Sequence, residues 1–170
     1  MNTSDTTSNQ ESADTLAERV NNRSRRPSSD AFREFMGSNW GPRPDAGITR
    51  APVADYLPAR AVAAGEPFPG ERLVIPAGTY KVRSNDCTYR FRAYSAFAHL
   101  SGLGQEREPD SVIVLEPLPS GGHEAVLFFK PRTSRSSQEF YSDSRYGEFW
   151  VGARPSLEEV ATETGLRCEH

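Results

Sequence analysis

The 170-residue sequence has few of the residue types on which functional sites are commonly built: two cysteines, three histidines and two lysines. Cys87 and Cys168 lie far apart and form no C-x-x-C pair, which favours two reduced thiols over one disulfide or a metal pair. No apolar stretch reaches the 18 residues of a membrane span, and no basic segment leads into an apolar run at the start. These absences predict a cytoplasmic protein without a membrane partner.

Charge of one sign is also scarce, since 20 basic and 23 acidic residues leave a net charge of −3. Such a balance gives no strong field for nucleic acid, so no nucleic-acid partner is predicted. Residues 1–30 contain few apolar side chains, and residues 1–28 are therefore predicted to form a disordered tail. The cluster of Arg23, Arg25 and Arg26 in that tail could be a nucleic-acid arm, but its acidic neighbours favour a solvated tail.

Residues 29–70 are interpreted as docking helices and a linker. Ser29 and Asp30 offer N-cap chemistry to a short helix over 31–36, which Gly37 ends. A second helix is predicted from Pro52 to Gly65, with Pro58 inside it. Because proline removes a backbone donor, Pro58 should kink this helix or delay its start.

Residues 71–170 change to the texture of strands and are interpreted as the core of the domain. Short apolar or alternating runs predict strands over four segments: 73–76, 89–92, 111–115 and 124–129. A Gly-Gly turn at 119–122 makes the last two of them antiparallel neighbours. Ser156 and Glu159 form a capping-box pattern for a helix that Gly165 closes. Helices mixed with strands of both kinds predict an α/β domain with a mixed sheet.

Catalytic motifs are missing. The sequence has no phosphate loop, no G-x-S-x-G elbow and no H-E-x-x-H helix. Its histidines are dispersed, and we interpret His99 as a hydrogen-bonded core or rim residue rather than a ligand. Three acids cluster around Pro109 in what reads as a surface turn: Glu106, Glu108 and Asp110. We therefore predict no catalytic and no metal-binding residue in this chain.

Three segments nevertheless resemble one known family. Residues 89–103, YRFRAYSAFAHLSGL, resemble the Y-x-F-R-x-x-S-x-F-x-Y-L-T-G signature of the aminopeptidase P N-terminal domain. The run from Glu108-Pro109-Asp110 through VIVL to AVLFFKP follows in that family's order. Residues 148–154, EFWVGAR, resemble its E-x-W-x-G-x-R element. The arginine-rich composition is similar to that of the actinobacterial branch.

This resemblance implies a fold and a division of labour. The fold would be the three-layer α/β, ribonuclease H-like fold of creatinase and prolidase N-terminal domains. The parent protein would be an Xaa-Pro aminopeptidase, which removes the N-terminal residue that precedes proline from peptides. In such enzymes a C-terminal metallopeptidase domain holds two manganese ions on two Asp, one His and two Glu. Those ligands are absent from this sequence, so the chain alone should be an inactive assembly and substrate-cleft domain.

Two residues are carried over from the family pattern as candidate substrate-binding residues, Trp150 and Arg154. Trp150 matches a tryptophan that can approach an active site, often that of a neighbouring subunit, although it could simply pack on its own sheet. Arg154 could equally be a structural anion partner. Arg92 is expected to pair with an acid rather than to touch substrate.

Other readings remain open. The domain could be a stand-alone, non-catalytic peptide- or protein-binding module, or the N-terminal domain of a prolidase- or creatinase-like enzyme. We also expect a homo-oligomer. The hairpin edge and the aromatic face around Tyr89, Phe91 and Phe97 are the candidate surfaces for self-association.

Overall fold

The computed structural model describes residues 29–44, 47–85, 87–104 and 107–170. The predicted disordered tail, with its arginine cluster, therefore lies outside the described residues. The chain divides into two compact units. We call the larger one, Pro42–Arg132 with Ala153–His170, the sheet unit. The smaller one, which includes the described residues up to Gly41 and Thr133–Gly152, is called the helical unit.

A four-stranded sheet organises the sheet unit. Its strands are β1 (Leu73–Pro76), β4 (Val112–Pro117), β5 (His123–Phe128) and β6 (Arg167–Glu169), in the order β1-β4-β5-β6. β4 pairs antiparallel with both β1 and β5, whereas β6 runs parallel to β5. β2 (Val82–Ser84) and β3 (Cys87–Thr88) form a separate two-stranded sheet. The predicted α/β class with a mixed sheet is thus confirmed.

Three helices and a 3-10 turn are the other main elements among the described residues of the sheet unit. Pro52–Tyr56 forms the 3-10 turn, and α2 (Leu57–Gly65) follows with Pro58 in its first turn. The α-helix thus starts late, at Leu57, as the sequence allowed. Pro58 fits in its first turn because the N–H that proline lacks would have no intrahelical partner there anyway. α3 spans Ser95–Ser101, and α6 spans Leu157–Thr164. The capping box of Ser156 and Glu159 and the left-handed end at Gly165 are both present at α6.

The core of the sheet unit combines strand and helix side chains. Ile113 and Leu115 from β4 and Leu127 from β5 are fully buried. Leu57 of α2, Phe97 of α3 and Val160 of α6 belong to the same cluster. Among the described residues, no helix combines the length and the apolar character needed to cross a membrane.

The described residues of the helical unit form three short helices. They are α1 (Asp30–Gly37), α4 (Glu139–Ser142) and α5 (Glu148–Val151). α1 begins as the sequence predicts, since the Ser29 side chain accepts a hydrogen bond from the Phe32 N–H.

Two sequence predictions in the sheet unit are wrong. Residues 89–92 do not form a strand; only Arg92 makes an isolated bridge, and Phe91 is buried while Tyr89 is exposed. The proposed self-association surfaces also fail, because Phe91 and Phe97 belong to the core. β1 pairs with Val112–Leu115 of β4, and β6 pairs with Val126–Phe128 of β5. Strand pairing inside the chain therefore already uses most of the hairpin's outer edges.

Candidate functional site

Trp150 lies on α5, a single helical turn held between two glycines. A Cβ at Gly147 would lie 2.6 Å from the Glu139 carbonyl oxygen and 2.7 Å from that of Phe140, so only glycine fits. Gly152 ends the turn with a φ of +83°, a conformation that glycine adopts without strain. These two glycines fix where the turn starts and stops, and hence where the Trp150 ring emerges.

The Trp150 ring is anchored at one end and open over its face. Its indole Nε1–H donates to the Tyr141 carbonyl oxygen at 2.6 Å. The Phe149 ring contacts it edge-on, with a centroid separation of 5.6 Å. The residue is nevertheless 58% exposed. Because its one polar donor is already used, the exposed part of Trp150 offers an apolar face.

Neighbouring aromatic rings extend this face into what we call the aromatic surface, defined by Trp40, Phe149 and Trp150. Trp40 is 47% exposed and Phe149 is 49% exposed, and their ring centroids lie 6.4 Å apart. Trp40 is held like Trp150, since its Nε1–H donates to the Met36 carbonyl oxygen at 2.6 Å. The buried Phe140 ring supports Trp40 and Phe149 at centroid distances of 5.3 and 6.3 Å. Half-exposed rings whose N–H donors are already hydrogen-bonded can pack against a flat apolar group of a ligand or partner.

A shielded ion pair supports the aromatic surface without adding net charge. The Arg135 Nε and Nη2 atoms donate to Glu148 Oε1 at 2.9 and 2.7 Å. Arg135 Nη1 also donates to the Gly41 carbonyl oxygen at 2.6 Å, and its Cζ lies 5.4 Å from the centre of the Trp40 ring. A planar guanidinium can make all these contacts at once. Arg135 therefore connects the element carrying Trp40 with α5.

Arg154, the second candidate, belongs to the sheet unit and is buried. Its Nε donates to the Lys130 carbonyl oxygen at 3.1 Å, and its Nη2 donates to that of Pro131 at 2.7 Å. These bonds satisfy backbone acceptors directly after β5 and give Arg154 a structural task. The substrate-binding role expected for Trp150 and Arg154 remains a prediction.

The acids around Pro109 are not a metal centre in the described part of the chain. Burial raises the pKa of Glu108, and the nearby positive charges of Arg107 and Arg154 partly offset this increase. Asp110 is exposed with a φ of +64°, and Glu106 lies outside the described residues. Across the described ranges, no group of three or more His, Cys, Asp or Glu side chains could hold a metal ion.

The histidines serve local roles where the structure gives them contacts. His123 Nε2 lies 2.7 Å from the Glu71 carbonyl oxygen. His99 is exposed on α3, where its backbone carbonyl oxygen accepts a hydrogen bond from Arg60. The two cysteines are free thiols, Cys87 exposed and Cys168 partly buried. Burial raises the pKa of the Cys168 thiol to about 11, so it stays protonated at neutral pH.

Sequence reasoning selected Trp150 as a candidate and did not select Trp40 or Phe149, the other two residues of the aromatic surface. Phe149 was next to Trp150 in the EFWVGAR element, and its aromatic character was the available signal. Trp40 is more than a hundred positions away, and only the folded chain shows that its ring meets those of Phe140 and Phe149.

Comparisons with known proteins address this chain at the level of family, relatives and fold. The family model described as "Aminopeptidase P, N-terminal domain" matches residues 57–168. "Xaa-Pro aminopeptidase 2" of Streptomyces coelicolor is 42% identical over 134 residues, which are 79% of this chain and 28% of that protein. "Xaa-Pro aminopeptidase 1" of the same organism is 42% identical over 138 residues, 81% of this chain and 27% of that protein. The chain thus spans under a third of either relative.

Solved structures of aminopeptidase P are similar to about two thirds of the chain. Escherichia coli aminopeptidase P in its low-pH form aligns with a TM-score of 0.53 and 26% identity. That alignment covers 68% of this chain and 23% of the E. coli chain. Proline aminopeptidase P II from Yersinia pestis aligns with a TM-score of 0.52 and 25% identity, over 68% of this chain and 24% of its own.

Proposed function

The chain belongs to the aminopeptidase P N-terminal domain family, and from this premise we propose that it is the assembly and substrate-cleft domain of an Xaa-Pro aminopeptidase. The parent enzyme would remove the N-terminal residue that precedes proline from peptides. Two Streptomyces relatives with that activity in their names, each 42% identical to this chain, support the assignment.

The observation that carries the cleft role is the state of Trp150. A wall for a proline side chain must be flat and apolar and must not demand a hydrogen bond that a pyrrolidine ring cannot supply. Trp150 is more than half exposed, and its N–H is already bonded to the Tyr141 carbonyl oxygen. Covering such a ring removes apolar area from water at about 25 cal/mol per Å². The residue therefore meets the physical requirements of the predicted role.

The bond-breaking chemistry is assigned to the part of the enzyme beyond this chain. A pair of manganese ions in a C-terminal domain would supply Lewis-acid activation of water. The described residues here do not fit such a pair, because no suitable cluster of ligating side chains is present among them. We therefore assign no hydrolytic step to this chain and expect it to be inactive alone.

Assembly is the second part of the proposal. The aromatic surface replaces the hairpin edge as the apolar area that a homo-oligomer would cover, since the edge is already paired within the sheet. Exposed apolar area concentrated in one place is typical of surfaces that bind partners. A cytoplasmic location remains part of the proposal.

A hybrid enzyme tests the cleft role. Residues 57–168 would replace the matching domain of Streptomyces coelicolor Xaa-Pro aminopeptidase 2, and turnover of an Ala-Pro tripeptide would be measured with manganese. We expect Trp150→Ala to raise KM several-fold with little change in Tm, and Trp150→Phe to restore most of the loss. Val62→Ala, at an apolar position of the sheet unit that is 59% exposed, is the matched control. An unchanged KM in an active Trp150→Ala hybrid would contradict the cleft role.

The division of labour has its own test. The 170-residue chain alone should release no N-terminal residue from the same peptide with added manganese or cobalt. Release by the pure chain would overturn this part of the proposal.

A further inference from the structure

The segment from Thr79 to Ser95 differs in charge from the rest of the molecule. It contains four basic side chains and a single acid, in a chain whose net charge is −3. The basic residues are Lys81, Arg83, Arg90 and Arg92. The alternation of aromatic and basic residues at 89–92 predicts a strand, but the structure has no strand there. The function proposed above does not use these residues either.

The chain folds this segment around a cavity of about 250 Å³, which we call the basic pocket. Lys81, Arg90 and Arg92 line it, and among the described residues no acidic one does. Four further lining residues carry hydroxyl groups: Thr79, Tyr89, Tyr94 and Ser95. Cations together with hydroxyl donors are the groups that bind carboxylate and phosphate oxygens.

Lys81 and Arg92 of the basic pocket contrast with cations elsewhere in the sheet unit. Arg72 pairs with Glu116, Arg107 with Glu163, and Arg132 with Glu159. In the part of the chain that the structure describes, neither Lys81 nor Arg92 forms an ion pair. The ion pair with an acidic residue that the sequence predicted for Arg92 is therefore not formed within the described part of the chain. Like charges held side by side repel one another, and a bound anion would relieve that repulsion.

Backbone contacts hold the two sides of the basic pocket in place. The Tyr89 N–H donates to the Lys81 carbonyl oxygen at 2.9 Å, and the Tyr94 N–H donates to that of Ala77 at 2.9 Å. Gly78 has a φ of +91°, and a Cβ there would lie 2.9 Å from the Tyr94 ring. The buried Phe91 joins this segment to the core. A pocket with fixed walls loses less entropy when a ligand binds.

We propose that the basic pocket is a binding site for the oxyanion group of a small ligand, a carboxylate or a phosphate. Arginine presents a planar fork of donors that matches both groups, and lysine adds a point charge. The cavity holds one small group, whereas a nucleic-acid strand requires an extended basic track. The site is distinct from the aromatic surface, and its occupancy does not depend on any hydrolytic activity.

Binding is measured on the 170-residue chain by NMR titration with sodium phosphate and, separately, sodium acetate, at an ionic strength held constant with sodium chloride. We expect saturable shifts of the amide signals of Thr79 and of residues 89–95 with at least one of the two anions. Each charge-assisted contact contributes roughly a tenfold change in affinity. The double variant Lys81→Gln, Arg92→Gln should therefore weaken binding at least about tenfold.

A matched double variant separates a built site from general attraction by positive charge. Arg72→Gln, Arg167→Gln removes the same charge from exposed ion pairs of the sheet unit and should leave the affinity unchanged. Equal weakening by both double variants, or shifts that never saturate with either anion, would overturn the proposal. Amide spectra of each variant confirm that it is folded.

Two further arms identify which oxyanion the basic pocket prefers. Ala-Pro-Ala with a free C-terminal carboxylate is compared with its C-terminal amide, and both are compared with phosphate. Binding of the free peptide but not of the amide supports a peptide carboxylate as the ligand. Tighter binding of phosphate than of any carboxylate supports a phosphate-bearing ligand. Failure of every arm leaves the proposed cleft function standing, because that function depends on Trp150 and is measured by KM.

Discussion

The core cluster of the sheet unit and the aromatic surface of the helical unit expose their large apolar side chains to different degrees. In the sheet unit Phe97, Leu115 and Leu127 are buried in one core cluster. In the helical unit Trp40, Phe149 and Trp150 remain about half exposed, although each belongs to a network of ring contacts. The first arrangement maximises the apolar area removed from water, and the second keeps part of it available.

Polar groups follow the same division. Both indole N–H groups of the helical unit are bonded to backbone carbonyl oxygens, which turns amphipathic rings into purely apolar faces. In the sheet unit the buried Arg154 bonds carbonyl oxygens in order to complete the fold. The same kind of hydrogen bond therefore stabilises a core in one unit and prepares a surface in the other.

The largest expected effect comes from truncating one phenylalanine in each unit. Phe97→Ala should lower the free energy of unfolding by about 3–5 kcal/mol, since it leaves a cavity in the core. Phe149→Ala removes a half-exposed ring and should cost about 1 kcal/mol. Urea denaturation followed by circular dichroism measures both. Equal losses would remove the distinction between the two units.

The next effect concerns Arg154. Arg154→Leu leaves the Lys130 and Pro131 carbonyl oxygens without these donors, which should cost about 2–4 kcal/mol. Arg60→Leu serves as the control, because the partly buried Arg60 donates a single, solvent-exposed hydrogen bond to the His99 carbonyl oxygen. If Arg154→Leu is as mild as the control, the structural task assigned to Arg154 is wrong.

Local chemistry carried much of the fold prediction. The capping box of Ser156 and Glu159, the N-cap at Ser29 and the delay at Pro58 each depend on residues a few positions apart. β1, β4 and β5 are recognisable because apolar residues fill short runs bounded by turn residues. Such features are present in the sequence before any tertiary contact forms.

The errors lie where distant residues decide the outcome. β6 has only three residues and exists because it pairs in parallel with β5, about forty positions earlier. Residues 89–92 alternate as a strand does, but the Tyr89 N–H donates to the Lys81 carbonyl oxygen, and α3 begins at Ser95, shortly after this run. The sequence reading gave no helix over 95–101, where serine and alanine surround two large core residues, Phe97 and Leu100. Tertiary packing overrides such weak local preferences.

The candidate site was predictable to the same extent. Trp150 could be selected because it sits in a motif that resembles a family pattern. Its hydrogen bond to Tyr141 and the contribution of Trp40 could not, because both depend on how the chain brings separate segments together. Sequence reasoning therefore identified the element but not the surface.

A smaller effect tests the polar groups of the sheet unit through their pH dependence. Burial raises the pKa of Glu108 in the folded protein. Ionised Glu108 therefore opposes folding once the pH exceeds the ordinary pKa of a glutamate. Its contribution should therefore fall as the pH rises through the raised pKa. Glu159 has the opposite sign: the Ser156 N–H, followed by Arg132, lowers its pKa. Its stabilisation is present above the ordinary pKa and is lost as the pH falls through the lowered one.

Paired variants separate these two signs. Glu108→Gln should raise the free energy of unfolding at pH 7 by no more than about 1 kcal/mol and change it less near pH 4. Glu159→Gln should lower it at pH 7 and have little effect at low pH. Thermal unfolding at both pH values measures the differences. A loss of stability for Glu108→Gln at pH 7 would mean that its ionised form is stabilised by its arginine neighbours.

The smallest expected effect is a difference between the two tryptophans, which report on the helical unit alone because the sheet unit contains neither. Trp150 is 58% exposed and Trp40 is 47% exposed. Acrylamide should therefore quench the fluorescence of both tryptophans efficiently. The Trp40→Phe variant, which retains Trp150, should be quenched slightly more than Trp150→Phe.

The same quenching measurement is repeated over a dilution series, because self-association would cover the rings as the protein concentration rises. Strong quenching at low concentration that weakens at high concentration supports assembly through the aromatic surface. Poor quenching at every concentration contradicts the exposed rings on which the comparison of the two units depends.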